Sequence, residues 1–525
     1  MESTTIQFQA TPEQSKDDVY LRNRISKELS LDLNEFEFSW RRRSIDARKR
    51  DVKVNCTFDV FEAGNEPVIE KSFTPKNVEG KQKIAIIGSG PAGLFAALQA
   101  LELGLKPVIF ERGKDVRSRR RDLAVLNKES IVNPESNYCF GEGGAGTYSD
   151  GKLYTRAKKR GDIKRALEWF VQFGATEEIM VDAHPHIGTN KLPQIIVSMR
   201  DTIIEHGGEV RFEKKVTDII TENGAVKALE INGSDIHEFT DVIIATGHSA
   251  RDIFELFHAK KWKLEAKAFA LGVRIEHSQD LIDTIQYNGR LNDDFLPPAS
   301  YSLVAQIDGR GVYSFCMCPG GIVAPCATNQ EEVVTNGWSP SKRNNPYSNS
   351  GIVVSVSPED FDNYENDPLV CLKFQQEVER RCWEAAGKTQ NVPAQRLLDF
   401  MNGKVSYDLP ETSYHPGMTS LDLSEVLPKM ISTRLKGAFE EFGRKMSGYL
   451  TNDAVLHAPE SRTSSPIQIP RNEDLQHPDV RGVYPCGEGA GYAGGIISAA
   501  IDGMKCVKAI AEKSRVEIDV LDLRI

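Results

Sequence analysis

Residues 83–93 read KIAIIGSGPAG, an apolar β-branched run that passes straight into glycines, and LFAALQALELG and KPVIFERG follow at 94–104 and 106–113. Strand, glycine turn, helix and second strand in that order make a βαβ unit with a parallel sheet. The turn carries the pattern G-x-G-x-x-G. Gly88 allows the tight turn, Gly90 lets the backbone approach a pyrophosphate, and Gly93 lets the helix pack on the strand, with the phosphate at the helix N-terminus. Pro91 and Ala92 complete this turn. Glu111, at the end of the second strand, stands where an acid accepts ribose hydroxyls and disfavours a 2′-phosphate, so FAD or NAD is expected rather than NADP.

The glycine pattern recurs at 141–146 (GEGGAG) and 489–494 (GAGYAG). The copy at 141 follows NYCF and leads into TYSDGKLYT, which has no helical periodicity, so it reads as a loop. Such a loop either lines a cofactor with backbone N–H groups, with Lys152 beside an electron-rich ring, or is simply solvent-exposed. The copy at 489 lies between the strand GVYPC and the helix GIISAAIDGMKCVKAIAEK. It lacks an acid at the end of a following strand, which argues against a second, independent NAD site.

The 525 residues are 40% hydrophobic and 27% charged, the composition of an ordered chain of several domains. A formal charge of -10 argues against a surface built to hold a polyanion, although the basic stretch from Arg41 to Lys53 is the place where such a contact would lie. Nine cysteines, odd in number and scattered, make no disulfide framework and suit a reducing cytosol. The N-terminus has no apolar signal core and no run approaches membrane-spanning length. A cytoplasmic protein is expected, with no membrane or nucleic-acid partner and an oligomeric state that the sequence leaves open.

Residues 1–80 read as a small α/β domain and 81–256 as the first part of the dinucleotide-binding domain. Residues 257–465, with alternating strands and longer helices, read as an inserted antiparallel-sheet-plus-helix domain that serves as substrate domain or cap. Residues 466–525 return to strand, glycines and helix as the second part of the split domain. The expected fold class is therefore α/β: a Rossmann-like domain interrupted by an insertion.

GSGPAG with ERG, then DVIIATG at 241–247, then GVYPCGEGAGYAGGI resembles the FAD-binding domain of the glutathione-reductase-like, two-dinucleotide-binding flavoproteins. More narrowly, GEGGAGTYSDGKL, HPHIGTNKLP, CPGGIVAPC, ESRTSSPIQIPR and GEGAGYAGGIISAA resemble the bacterial FAD-dependent proteins labelled "NAD(FAD)-utilizing dehydrogenase", whose substrate is unknown. The resemblance implies FAD. It implies that Gly88, Gly90, Pro91, Ala92 and Gly93 hold the pyrophosphate and that Glu111 and Arg112 hold the adenosine end. Val216 would meet adenine through its backbone, and Thr246 and Gly247 would close over the dinucleotide. Gly487 and Glu488 would bind the ribityl or phosphate region, and the helix beginning at Gly495 and Ile496 would point its N-terminus at the flavin.

The C-x4-C pair of the disulfide reductases is missing, because the residue four intervening positions beyond Cys139 is Gly144. No complete nicotinamide fingerprint is present either, so NADH or NADPH would dock transiently or not at all. Lys152 and His248 are the catalytic candidates, His248 because it follows the strand end ATG. Arg462 in RTSSP is read either as a ligand to a substrate carboxylate or flavin edge, or as part of a capped turn. Cys316, Cys318 and Cys326 lack a fourth ligand, so no metal site is read. Strand alternation would put Cys316 and Cys318 on one face as buried packing residues, with a flavin-linked thiol as the other reading. The expected activity is FAD-dependent oxidoreduction of a small molecule by hydride transfer through flavin N5. The alternatives are a flavin monooxygenase, a flavoenzyme that modifies RNA or another macromolecule, and a non-catalytic flavin-binding module.

Overall fold

The computed structural model describes residues 3–65, 72–155, 161–290 and 294–522. Its parallel sheet has five strands in the order Val483–Pro485, Val242–Ile244, Lys83–Ile87, Lys106–Phe110 and Glu209–Arg211. The last strand in sequence thus pairs with a strand some 240 residues earlier, which in turn pairs with Lys83–Ile87, and the Rossmann-like domain is split. The strands read as near-continuous apolar runs because both faces of a parallel sheet are covered. On one face the helix Pro91–Leu103, apolar all round, is packed between the sheet and the long helix Ile496–Asp522. The two helices touch closely, since a Cβ on Gly503 would lie 2.0 Å from the Ala92 carbonyl oxygen. A three-stranded antiparallel meander, Val216–Glu222, Ala225–Ile231 and Asp235–Glu238, lies over the other face with the helix Arg251–Ala259.

The insertion is a seven-stranded sheet built about Phe269–Ser278, which pairs antiparallel with Tyr347–Val356 on one side and Val455–Glu460 on the other. Helices Val370–Ala385 and Lys429–Lys445 cover one face and share its core with Leu271, Val273, Ile352 and Leu456. The other face carries charge into the interior: Arg274 and Glu460 form an ion pair at 2.8 Å with both side chains essentially inaccessible to solvent. Such a pair is tolerated only because each partner satisfies the other and the remaining donors find acceptors, here Asn349 at 2.6 Å and the Cys316 carbonyl at 3.3 Å. At the N-terminus, strands Thr4–Ala10, Phe36–Asp46 and Lys53–Glu62 form an antiparallel sheet against the helix Asp18–Leu29. Part of the basic stretch is neutralised internally, Arg41 by Asp59 and Arg48 by Asp46, while Arg43 ties this module to Asp182 at 2.8 Å. No helix among the described residues is long and apolar enough to cross a membrane.

Candidate active site

The first glycine turn is built by exclusion. Gly88 sits at φ +102°, and a Cβ on Gly93 would fall 2.0 Å from the Gly88 carbonyl oxygen, so only a residue without a side chain lets the helix start this close to the strand. Gly90 is the N-cap of that helix and brings no side-chain cap, which leaves the helix N-terminus open. Glu111 braces the turn: its carboxylate accepts from Ser89 N at 3.0 Å, Ser89 Oγ at 2.7 Å, Gly113 N at 2.8 Å and Gly141 N at 3.0 Å. A carboxylate offers about four acceptor positions. All are taken, so a ribose hydroxyl would have to displace one of these donors.

Glu111 also reaches the second glycine loop, whose conformation is imposed by Arg119. That guanidinium is fully buried and donates to the carbonyls of Asn137, Tyr138, Glu142 and Gly144 at 2.7–2.9 Å. The loop is thereby pressed against the first turn, with a Cβ on Gly144 only 3.1 Å from Gly90 Cα. The expectation that left this loop open between cofactor wall and exposed loop resolves in space: Gly144, Ala145 and Gly146 are wall. The third turn closes the same space from the C-terminal side, with Gly487 against Ala92 and Gly489 against Gly247.

All three turns meet at one cavity of about 400 Å³. Gly88, Gly90, Pro91, Ala92, Glu111, Arg112, Val216, Thr246, Gly247, Glu488, Gly495 and Ile496 line it, together with Lys152 and His248. Gly93 and Gly487 stand behind the lining and shape it by packing. At one end Arg112 lies over the Phe140 ring at 4.2 Å and is held by Glu135 and Asp252. At the other end the insertion contributes Phe315, Cys316, Asn336, Arg462 and Thr463.

His248 is 15% exposed, its Nδ1 has no partner, and its Nε2 lies 4.0 Å from Glu488 Oε1. Burial, with the nearby Arg462, Arg251 and Lys267 charges, holds its pKa down to about 3. It is therefore neutral at ordinary pH, which suits the hydrogen-bonding one of the two roles, base or hydrogen-bond donor, that its place after the strand end offers. Glu488 moves the other way: burial pushes its carboxyl up to about 7 against the pull of Lys267.

Two groups that the sequence leaves between two readings lie at the insertion side. Arg462 is neither a turn cap nor a free ligand. It pairs with Glu332 at 2.5 Å and with Glu379 at 3.2 Å, and Arg251, from the Rossmann-like part, joins both acids at 2.8 and 2.6 Å. This buried four-charge clamp fastens the insertion to the segment that carries His248. Its members are up to 211 residues apart, and no local pattern links them. The second group is Cys316 and Cys318. A bulge between Phe315 and Cys318 breaks the strand alternation, and Lys152 Nζ stands 3.8 and 3.6 Å from the two sulfurs. Cys316 faces the cavity instead of packing in the core.

Cys486, beneath the third turn, is buried with Asp502 and Cys506. Arg471 already occupies both Asp502 oxygens, at 2.7 and 3.0 Å, which makes the trio a structural brace.

Residues 82–254 match the family model described as pyridine nucleotide-disulphide oxidoreductase, and residues 268–463 match FAD-dependent protein, C-terminal domain-like. Residues 2–61 match a domain of unknown function, DUF8436. An uncharacterized protein of Clostridium beijerinckii is 39% identical over 517 residues, 94% of this chain and 96% of that one. The chain belongs to that protein's family, a family of FAD-dependent oxidoreductases. FAD is the cofactor of this flavoprotein.

A second relative, the dual trans-enoyl reductase/FAD-dependent monooxygenase tazHJ of Aspergillus terreus, is 26% identical over 171 residues, 30% of this chain and 21% of that one. Among solved structures, the flavin-dependent brominase Bmp2 gives a TM-score of 0.36 at 12% identity over 82% of this chain and 78% of that one. A geranylgeranyl bacteriochlorophyll reductase-like protein from Thermoplasma acidophilum gives 0.35 at 14% identity over 83% and 80%. At such TM-scores no activity is transferred from either.

The site fits an extended dinucleotide on three counts. The open helix N-terminus at Gly90 suits a pyrophosphate. The facing glycines 90 and 144 present bare backbone to the cavity with no side chain between them. The buried, unpartnered His248 Nδ1 awaits a polar group.

Proposed function

We propose that the flavoprotein is an oxidoreductase of the dehydrogenase or reductase type, which passes a hydride between flavin and a small molecule held where the Rossmann-like part meets the inserted sheet. One observation carries this reading: a single cavity is walled by the glycine turns on one side and by Phe315, Cys316, Arg462 and Thr463 of the insertion on the other. The sequence resemblance to the "NAD(FAD)-utilizing dehydrogenase" proteins supports it.

Bound flavin supplies two-electron chemistry at its N5. Gly88, Gly90 and Ala92 would hold the pyrophosphate at the helix N-terminus, and Arg112 and Val216 would flank the adenosine end. Thr246 and Gly247 would cover the middle, and Glu488 would meet the ribityl chain. The start of the helix at Gly495 and Ile496 would favour negative charge on the reduced ring. Lys152, held by Asp150 at 3.3 Å, keeps its proton firmly and offers a cation and N–H donors to substrate. The inserted sheet walls this end, and water excluded there would strengthen each of these interactions.

Anaerobic titration of the holoprotein with NADH and with NADPH, followed by flavin absorbance, tests the reading. Bleaching by one of them is expected. Bleaching by neither removes the nicotinamide donor, and purified chain that binds no FAD overturns the assignment of the cavity.

A further inference from the structure

The sulfurs of Cys316 and Cys318 lie 4.0 Å apart. In a regular strand, side chains two residues apart are separated by about 6.6–6.8 Å along the chain, so alternation alone would not bring them together. Two local features do. The ladder slips between Phe315 and Cys318, where three steps along this strand match two along the partner, from Gly351 to Asn349. Cys316 also adopts φ +46°, a left-handed conformation that side chains rarely take and that is retained chiefly where function repays it.

The pair also has a cation. Lys152 Nζ is within 3.8 Å of both sulfurs and is aimed there by Asp150, which Arg343 holds in turn at 2.8 Å. Cys316 is half-buried on the cavity wall, while Cys318 is fully buried behind it. The hydrogen bond from Cys318, then the Lys152 and Arg274 charges, pull the Cys316 thiol down, and the same contact with burial pushes Cys318 up. The result is one thiolate-prone sulfur at the cavity and one proton-bearing sulfur beside it, the asymmetry of an exchanging pair.

We propose that Cys316 and Cys318 are a reversible dithiol–disulfide couple that exchanges two electrons with the bound flavin. The proposal rests on the reading of the cavity as the flavin site. In the forward direction two S–H bonds break and one S–S bond forms, while the electron pair and both protons pass to oxidised FAD. The reverse step returns them. Closing the bond requires the sulfurs to approach from 4.0 Å to about 2.05 Å, a movement of side chains rather than of the fold. The couple lies on a strand of the insertion, and neither cysteine belongs to a C-x4-C pair after the first glycine turn.

Acid quenching with an alkylating agent, followed by peptide mass spectrometry, reads the couple directly. In air-oxidised holoprotein the peptide carrying Cys316 and Cys318 is expected to be unalkylated and lighter by two hydrogens, and after anaerobic reduction by dithionite both sulfurs are alkylated. Wild-type holoprotein should take up twice the reducing equivalents per FAD that Cys316→Ser takes up. Lys152→Met should slow alkylation of Cys316 in the reduced protein at neutral pH by roughly tenfold or more, since its thiolate loses the nearby cation. Two free thiols in oxidised wild-type protein, or equal uptake by wild type and Cys316→Ser, would overturn the proposal. The mass readout is independent of nicotinamide turnover. A chain that bleaches with NADH or NADPH yet keeps both thiols free retains the flavin reading alone, and a disulfide in a chain that neither bleaches retains the couple and loses the donor.

Discussion

The two walls of the cavity are made by opposite means. The glycine wall is shaped by what is missing: a Cβ added at Gly93, Gly144 or Gly489 would lie only 2.0–3.1 Å from neighbouring backbone. The insertion wall is shaped by what is buried: Arg251, Arg462, Glu332 and Glu379 in one clamp, Arg274 with Glu460 in another, and Lys152 with Cys316 at the cavity and Cys318 behind it. A wall made by exclusion is rigid and indifferent to substrate, whereas a wall of paired charges has chemistry to offer.

The largest effect expected from breaking this contrast is at the clamp. Glu379→Ala leaves two buried guanidiniums with one acid and should lower unfolding free energy by about 3–5 kcal/mol in denaturant melts. The exposed pair Arg381–Glu377 on the same helix is the control, and Glu377→Ala should cost under about 1 kcal/mol. Equal effects would mean that the clamp does not fasten the insertion.

Next comes the glycine wall. Gly93→Ala must push its Cβ away from the Gly88 carbonyl and should lose FAD together with about 1–3 kcal/mol of stability. Gly494→Ala, whose Cβ would meet nothing within 4 Å, should leave the unfolding of the apoprotein nearly unchanged. A stable, yellow Gly93→Ala protein would show the close approach to be dispensable.

A smaller effect is expected from pH. Glu488 titrates near 7 because burial disfavours its charge, so it is neutral below that pH and an anion above it. An anionic dinucleotide is repelled by the charged form, and FAD affinity should fall between about pH 6 and about pH 8, by at most about tenfold per unit. Glu488→Gln should bind FAD with a flat profile, and an unchanged slope would assign the titration elsewhere. The smallest effect expected is at His248: with its pKa held at about 3, its ring resonances should not move between about pH 5 and about pH 8. A midpoint in that range would restore it as a candidate base.

The glycine wall was legible because its physics is local. Strand, turn and helix follow one another within about thirty residues at 83–113, and Gly93 is required by the Gly88 carbonyl only five positions away. Even the join to Val483–Pro485 announced itself, since a second strand–glycine–helix run without its own acid needs another half to complete it.

The insertion wall was not legible. Arg251, Glu332 and Glu379 sit in unremarkable helical or loop contexts, and only folding brings their charges together. Cys316 and Cys318 stayed between packing residues and a flavin-linked thiol, because strand alternation does not foresee the bulge that turns the chain there. The sequence by itself determined the cofactor class and the split parallel sheet, because the strand–turn–helix order and apolar periodicity are set within a few residues. Only the tertiary structure decided which charges are paired, which histidine is silent and which sulfurs meet, because desolvation and Coulomb interactions depend on distances in space and not along the chain.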